Sequence, residues 1–229
     1  FEEMVKKNLV LFGANSEFAK AFSNLAKEQG HSIFGISRSY IDNLDINNQL
    51  KIDQNYENLN EIEKFISNID DPYIIFFNGF LAENRDIYFP TNKEIEKTLK
   101  INYLLPLKIT NQLIKVTNIN KFIYISTMAA VKPRRKNYIY GLSKRSLEES
   151  VKKIRDINFL IIRFGQIETN MSKDHKKAPF SYQKDEASSA LLKKIERTGL
   201  LYANTFLFMM SIFLRLLPSL VINYLEKQK

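Results

Sequence analysis

The stretch Leu9-Val10-Leu11-Phe12-Gly13-Ala14-Asn15-Ser16-Glu17-Phe18-Ala19 reads as a short buried strand, a tight turn and the opening of a helix. Four apolar residues in a row suit a strand covered on both faces. Gly13 permits a tight turn and a close backbone approach. The helix that follows offers N–H groups and a partial positive charge to a pyrophosphate at its N-terminus. Taken alone, the same residues also describe an ordinary strand–helix turn.

Outward from this turn the pattern repeats. Apolar runs at Ser32–Ile36, Tyr73–Phe77, Phe122–Ser126 and Phe159–Arg163 are rich in Ile, Phe and Tyr. Gln49–Ile52 is a weaker run, and Leu200–Ala203 a last short one. Between them, Glu17–Gln29, Lys93–Val116, Tyr140–Arg155 and Glu186–Arg197 read as helices. Between Arg38 and Gln49 the chain is short and Asn/Asp-rich, so any helix there is stunted. Repeated strand–helix alternation implies an α/β chain, a doubly wound parallel sheet of seven strands.

Composition narrows the chemistry. The chain has 229 residues, 45% hydrophobic and 26% charged, which suits one α/β domain with a sizeable core. It has no cysteine, so disulfides, thiolate metal sites and a cysteine nucleophile are excluded. With only His31 and His175, no metal site is expected. The apolar stretch ending at Gly13 is too short for a secretory signal, and Met4 would make a natural start. Residues 1–129 carry 14 basic and 16 acidic side chains, whereas residues 130–229 carry 20 and 9. The whole positive excess therefore lies in the C-terminal hundred residues. It suggests an anionic partner, such as nucleic acid, a membrane surface or a phosphorylated substrate, or else a solvated basic face. No nucleic-acid motif accompanies the charge, so nucleic acid is not expected.

The end of the chain is different in kind. Phe206–Leu214 and Leu216–Leu225 are almost wholly apolar, interrupted by Arg215 and Pro218. A spanning helix needs about 20 uncharged apolar residues. The interruptions favour a helix pair lying on a bilayer surface. A buried dimer helix, a lid over an apolar substrate and a true span are the other readings. The expected division is residues 1–204 for the sheet domain, with a substrate lid at about 172–185, and 205–229 for the tail.

The turn after the first strand resembles that of the short-chain dehydrogenase/reductase family, which has a Rossmann sheet and opens with Gly-x-x-x-Gly-x-Gly. Gly13, Glu17 and Ala19 fall on those glycines. Ser16-Glu17-Phe18-Ala19 is similar to a variant in some branches. A carboxylate at Glu17 would repel a pyrophosphate unless it points away. The resemblance makes Gly13, Asn15, Ser16 and Phe18 cofactor-binding residues. Ser37 stands where an NAD-selective fold places Asp or Glu, and Arg38 follows. That pair suits the 2′-phosphate of NADP(H). Asp53 matches an adenine-contacting aspartate, and Gly79 matches the glycine after the fourth strand.

The chemistry lies in Tyr140-Gly141-Leu142-Ser143-Lys144. Residues four apart share a helical face, which puts the Lys144 ammonium beside the Tyr140 phenol. A phenol titrates near pH 10 unperturbed, and a nearby cation lowers that value. Thr127 lies 13 residues before the tyrosine, as the family's serine does, with Ser126 the alternative if the register slips by one. Asn102 matches an asparagine that holds a proton-relay water. In Gly165-Gln166-Ile167-Glu168-Thr169, the resemblance assigns the nicotinamide carboxamide to the Ile167 backbone and the Thr169 hydroxyl. It covers roughly residues 5–203 and implies NADPH-dependent reduction of a carbonyl, with Tyr140 as proton donor.

A finer resemblance joins Lys132-Pro133-Arg134-Arg135-Lys136, Ala178-Pro179-Phe180 and Leu216-Leu217-Pro218 to one branch. That branch reduces decaprenylphosphoryl-2-keto-ribose in partnership with a flavin oxidase. It implies a lipid-linked keto-sugar substrate in cell-wall or polysaccharide biosynthesis, with Arg134 and Arg135 on the phosphate. Lys173, His175, Lys176 and Lys177 sit in the lid region. The expected place is the cytoplasmic side of the inner membrane, peripherally bound through the tail, with a homo-oligomer open. The alternatives are a membrane-associated reductase of a lipid ketone and a non-catalytic dinucleotide-binding regulator.

Overall fold

Alternate residues of each strand enter opposite cores. In the computed structural model, which describes residues 5–218 except 43, 54–57, 83–89, 117, 135–136, 174–176 and 179, β1 is Asn8–Phe12. Its Leu9 and Leu11 face one layer, and Val10 and Phe12 the other. The same alternation runs through β2 (Ser32–Ser37), β4 (Tyr73–Phe76), β5 (Lys121–Thr127) and β6 (Phe159–Phe164). A strand apolar on both faces must be covered on both faces. With the short β3 (Gln49–Lys51) and β7 (Gly199–Tyr202), the strands form one parallel sheet in the order β3-β2-β1-β4-β5-β6-β7.

Helices α1 (Glu17–Glu28) and α6 (Lys184–Leu192) cover the first face, through Phe18, Phe22, Ala26, Ala187 and Leu191. The second face is covered by α2 (Leu59–Ser67), α4 (Leu105–Leu113) and α5 (Tyr138–Val151). Helix α2 lies outside the sequence reading. Its signal is Leu59, Ile62 and Ile66 at helical spacing; Ile62 and Ile66 are fully buried.

The single long helix expected over Lys93–Val116 is instead α3 (Asn92–Leu99) and α4, joined by a π turn at Lys100–Leu104. Pro106 explains the change. It lacks the N–H that would bond the carbonyl of residue 102, so the α-helical ladder cannot continue there. The backbone takes the wider turn, in which Leu105 N–H donates to the Lys100 carbonyl.

Strand order reverses direction between β1 and β4, and there the chain ends of both strands diverge. A crevice outside the carboxyl ends of the strands opens at such a switch point. Gly13 closes β1 and Phe77-Asn78-Gly79 follows β4, with Phe77 N–H donating to the Phe12 carbonyl at 2.9 Å.

The tail begins as helix α7 (Thr205–Leu216), capped by Asn204, whose side chain accepts from Leu207 N–H at 2.8 Å. Leu207 and Ser211 are buried against the sheet domain. Phe206, Phe208, Met209, Ile212, Phe213 and Leu216 are exposed. Among the described residues no helix is long and apolar enough to cross a membrane. Most of the second apolar segment, Leu216–Leu225, lies outside the described residues.

Candidate active site

The β1–α1 turn is built to admit something close. Gly13 has φ +74°, a conformation that L side chains rarely adopt, and a Cβ there would meet Asn78 N at 3.2 Å. Ser16 caps α1, its hydroxyl accepting from Ala19 N–H at 3.2 Å. The N–H groups of Glu17 and Phe18 are in the first turn, where the helix itself offers no acceptor. This cradle fits a phosphate by its shape and by the helix dipole.

The neighbouring residues divide into those that face the crevice and those that do not. Asn15 is exposed and its amide donates to the Ser39 hydroxyl at 2.6 Å, joining the turn to the end of β2. Ser37 is buried and donates its hydroxyl to the Ser39 carbonyl, so it shapes that loop. Arg38 is exposed beside it. Asp53 is exposed just past β3. The Phe18 ring is in the core, edge-on to Phe77 at 5.1 Å and Phe164 at 5.6 Å. Only its backbone can serve a cofactor.

Glu17 points away from the cradle, as its position requires. Its carboxylate accepts from Asn170 N–H at 3.2 Å and from the Asn170 side-chain amide, and Lys184 lies 3.7 Å away.

At the far side of the crevice, α5 crosses the end of β5 closely. A Cβ at Gly141 would meet the Ala129 carbonyl oxygen at 2.6 Å, so no side chain fits at that crossing. The close approach sets the Tyr140 phenol near the Thr127 hydroxyl, close enough for the threonine to act on its titration. Thr127 also accepts from Ala129 N–H at 3.2 Å. Ser126 requires a correction. Neighbours on a strand point to opposite faces, and Ser126 donates to Glu148 Oε1 at 2.5 Å, buried behind the sheet. It does not meet the tyrosine.

Lys144 follows one helical turn on and is 4% exposed. Its ammonium donates to the carbonyls of Asn78 at 3.1 Å and Ile125 at 3.0 Å. Against the expected lowering, burial pushes the Tyr140 phenol up to about 12, with the Thr127 hydroxyl pulling the other way. Burial also lowers Lys144 to about 8, with the Glu148 carboxylate opposing. At neutral pH the cluster therefore holds a protonated phenol, a hydroxyl beside it and an ammonium, which together can donate a proton to an oxygen.

Asn102 lies in the π turn, fully buried. Its side chain accepts from Phe80 N–H at 2.7 Å and donates to the Phe80 carbonyl at 2.9 Å and the Ser143 hydroxyl at 3.1 Å. The side chain is thus spent on structure, and a water relay can use only its carbonyl, which Pro106 deprives of the usual helical partner. Ser143, which sequence reasoning gave no role, ties this asparagine to α5 by donating to the Tyr140 carbonyl at 2.8 Å. Its position between Tyr140 and Lys144 was the available signal.

Beyond β6 the chain turns back across the crevice. Ile167 pairs with Tyr182, and the Ile167 carbonyl accepts from Ser172. Thr169 caps the short turn Asn170–Ser172. Gly79 lies under this turn: a Cβ there would meet the Met171 methyl at 3.5 Å. Arg134 is exposed on the loop before α5, and Lys132 of the same loop donates to the Leu217 carbonyl at the end of α7. Arg135, His175 and Lys176 lie outside the described residues. Lys177 pairs with Glu168. Among the described residues no group of three or more His, Cys, Asp or Glu could hold a metal ion.

The sequence matches no protein-family model and no curated protein. The fold does match solved structures. A short-chain dehydrogenase from Burkholderia cenocepacia, in complex with NADP, superposes with a TM-score of 0.80 at 15% identity, covering 93% of this chain and 98% of that one. A short-chain dehydrogenase/reductase family oxidoreductase from Brucella ovis, with partially ordered NAD, gives 0.67 at 15% identity over 87% and 100%. UDP-glucose 4-epimerase from Thermotoga maritima, with UDP-glucose, gives 0.62 at 17% identity over 85% and 75%. At these identities the likeness establishes the fold: the doubly wound, seven-stranded sheet found in short-chain dehydrogenases.

Proposed function

We propose that this chain is an NADPH-dependent ketoreductase of the short-chain type. The observation that carries the reading is Tyr140 near Thr127 at the carboxyl end of β5, with Lys144 one turn on, at the same end of the sheet as the Gly13 turn. NADPH, when bound, supplies the hydride to a carbonyl carbon. Tyr140 gives its phenolic proton to the oxygen that gains the electron pair, so a ketone becomes an alcohol. A phenol held near 12 stays protonated at neutral pH, which suits a donor. Thr127 orients the carbonyl oxygen by hydrogen bonding. Lys144 anchors the ribose side of the crevice and supports the return of a proton to Tyr140. Gly13, Asn15, Ser16 and the Phe18 backbone serve the pyrophosphate, Ser37 and Arg38 the 2′-phosphate, and Asp53 the adenine. Gly79, the Ile167 backbone and Thr169 serve the nicotinamide end, with Asn102 behind them.

The substrate we propose is a keto-sugar carried on a lipid phosphate. Arg134, exposed on the loop leading to Tyr140, offers a cation for the phosphate. The exposed apolar face of α7 offers a surface for the lipid or its bilayer. A flavin oxidase that generates the ketone is the partner this chemistry asks for. The apolar face equally favours a ketone on a simple lipid, which is the second reading. A regulator without catalysis loses its main support, because the Glu17 carboxylate is turned onto Asn170 rather than into the cradle.

The test is Tyr140→Phe assayed for NADPH oxidation with a polyprenyl-phosphate 2-keto-pentose. A loss of about 10³-fold in kcat, with NADPH still raising the Tm, is the expected result. Unchanged turnover would refute the assignment.

A further inference from the structure

Glu17 occupies a position where a glycine would leave the crevice open, and it reaches across to the segment after β6. It takes two hydrogen bonds from Asn170, one from the backbone and one from the side chain, and Lys184 stands beside it. Two donors on one carboxylate make a charge-assisted, two-point contact, which is stronger and more directional than a surface ion pair. The segment it holds runs from Ile167 to Ser172. The residue after Asn170, Met171, lies over Gly79, past the end of β4. The turn Asn170–Ser172 therefore meets both the start of α1 and the chain just past β4, at the switch point.

The same segment is fastened separately on its outer side. Glu168 accepts from Ser181 at 2.8 Å and from Gln183 at 2.6 Å, and pairs with Lys177. Those contacts tie it to its own return path, Lys177–Gln183. The Glu17 contact is different because it ties the segment to the helix that forms the phosphate cradle. A carboxylate in that turn would ordinarily weaken pyrophosphate binding by repulsion. Here Asn170 and Lys184 draw it away from the cradle and put it to use.

We infer that Glu17 is a positioning residue, a latch that holds segment 167–172 across the crevice and so retains the nicotinamide half of the cofactor. This rests on the reading that the crevice takes NADPH. The latch acts on one half of the ligand only. The adenine half, with its 2′-phosphate and pyrophosphate, meets Arg38 and the backbone N–H groups of the cradle, which truncating the Glu17 side chain leaves in place.

The experiment compares wild type with Glu17→Ala, Asn170→Ala, the double variant and Glu17→Gln. Each is titrated with NADPH and with 2′-phospho-ADP-ribose, which lacks the nicotinamide. Amide exchange of residues 167–172 is followed in the free proteins. Loss of the charge-assisted contact is expected to speed that exchange and to weaken NADPH about tenfold. Binding of 2′-phospho-ADP-ribose should stay within about twofold. The double variant should match either single one, since both remove the same contact. Glu17→Gln, which keeps one acceptor for Asn170, should restore part of the affinity. Tighter binding of both ligands by Glu17→Ala would mean that the carboxylate repels phosphate, and the latch would be overturned. Unchanged exchange would overturn it too. A wild type that binds neither ligand would instead defeat the ketoreductase reading, and the exchange result would still decide the latch.

Discussion

Two polar clusters lie one helical turn apart on α5, and they have opposite characters. The inner cluster is Glu148 with Arg163, Ser126 and Tyr202. Arg163 Nε donates to Glu148 Oε1 at 2.9 Å, its terminal nitrogens reach Glu148 Oε2 and the Tyr202 hydroxyl, and Ser126 completes the carboxylate. Glu148 and Arg163 are 1% and 3% exposed. The outer cluster is Tyr140 with Thr127 and Lys144, at the carboxyl end of β5; Tyr140 and Thr127 are half-buried and Lys144 is buried. The inner cluster is closed, each charge answered by another, so it can hold α5, β5, β6 and β7 together and do little else. The outer one keeps hydroxyl capacity for a ligand and holds a lysine that burial pulls down to about 8. A satisfied buried network is structure, whereas one left open on a crevice is available for chemistry.

Breaking the closed cluster should cost stability above all. Glu148→Ala leaves the Arg163 charge buried and uncompensated, a loss of about 3–5 kcal/mol. At this chain length that is on the order of 10 °C in Tm. Replacing both partners by apolar residues, Glu148→Leu with Arg163→Met, should recover most of it. Calorimetric melting decides the point, and a Glu148→Ala protein as stable as wild type would erase the distinction between the clusters.

The adjacent pair on β5 sharpens the comparison, because the two residues serve different clusters. Thr127→Val should lower kcat/KM about 10²-fold, with little change in Tm. Ser126→Ala should do the reverse, costing about 1 kcal/mol and leaving turnover nearly intact. Steady-state kinetics and urea unfolding of the two variants give the answer; equal kinetic losses would mean that Ser126 does reach the crevice.

The smallest effect is a pH dependence centred on Lys144. The kcat/KM for NADPH reports the free enzyme, so it should fall above pH 8 by about tenfold per unit as the ammonium is lost. Stability should move the other way. The folded lysine titrates at about 8, below its ordinary 10.5. Between those values the unfolded chain binds more protons, so this group's contribution to stability rises with pH. Its penalty is fully present below pH 8. Lys144→Met should remove that slope in pH-dependent melting while abolishing turnover.

Much of this was legible in the sequence because it depends on local pattern. The strands at Leu9–Phe12 and Phe122–Ser126 announce themselves by unbroken apolar runs, and the structure extends the second only to Lys121–Thr127. Tyr140 and Lys144 declare their common helical face by spacing alone. Helix α2 was missed because it is short and flanked by Asn-rich chain. The π turn was missed because Pro106 acts on a carbonyl four residues back, in the middle of a pattern that otherwise reads as continuous helix. Ser126 and Thr127 could not be told apart until a face was assigned to each.

The sequence by itself determined the layered α/β architecture, the glycine turn that opens the crevice, and the identity of the tyrosine and lysine. These follow from periods of 2 and 3.6 residues and from short spacings, which operate within one element. Only the tertiary structure decided where each polar group spends its bonds. It sent Ser126 to Glu148, Lys144 to two backbone carbonyls and Glu17 to Asn170, 153 residues away. Hydrogen bonds and burial depend on which elements meet, so pKa values and side-chain partners are properties of packing rather than of sequence order.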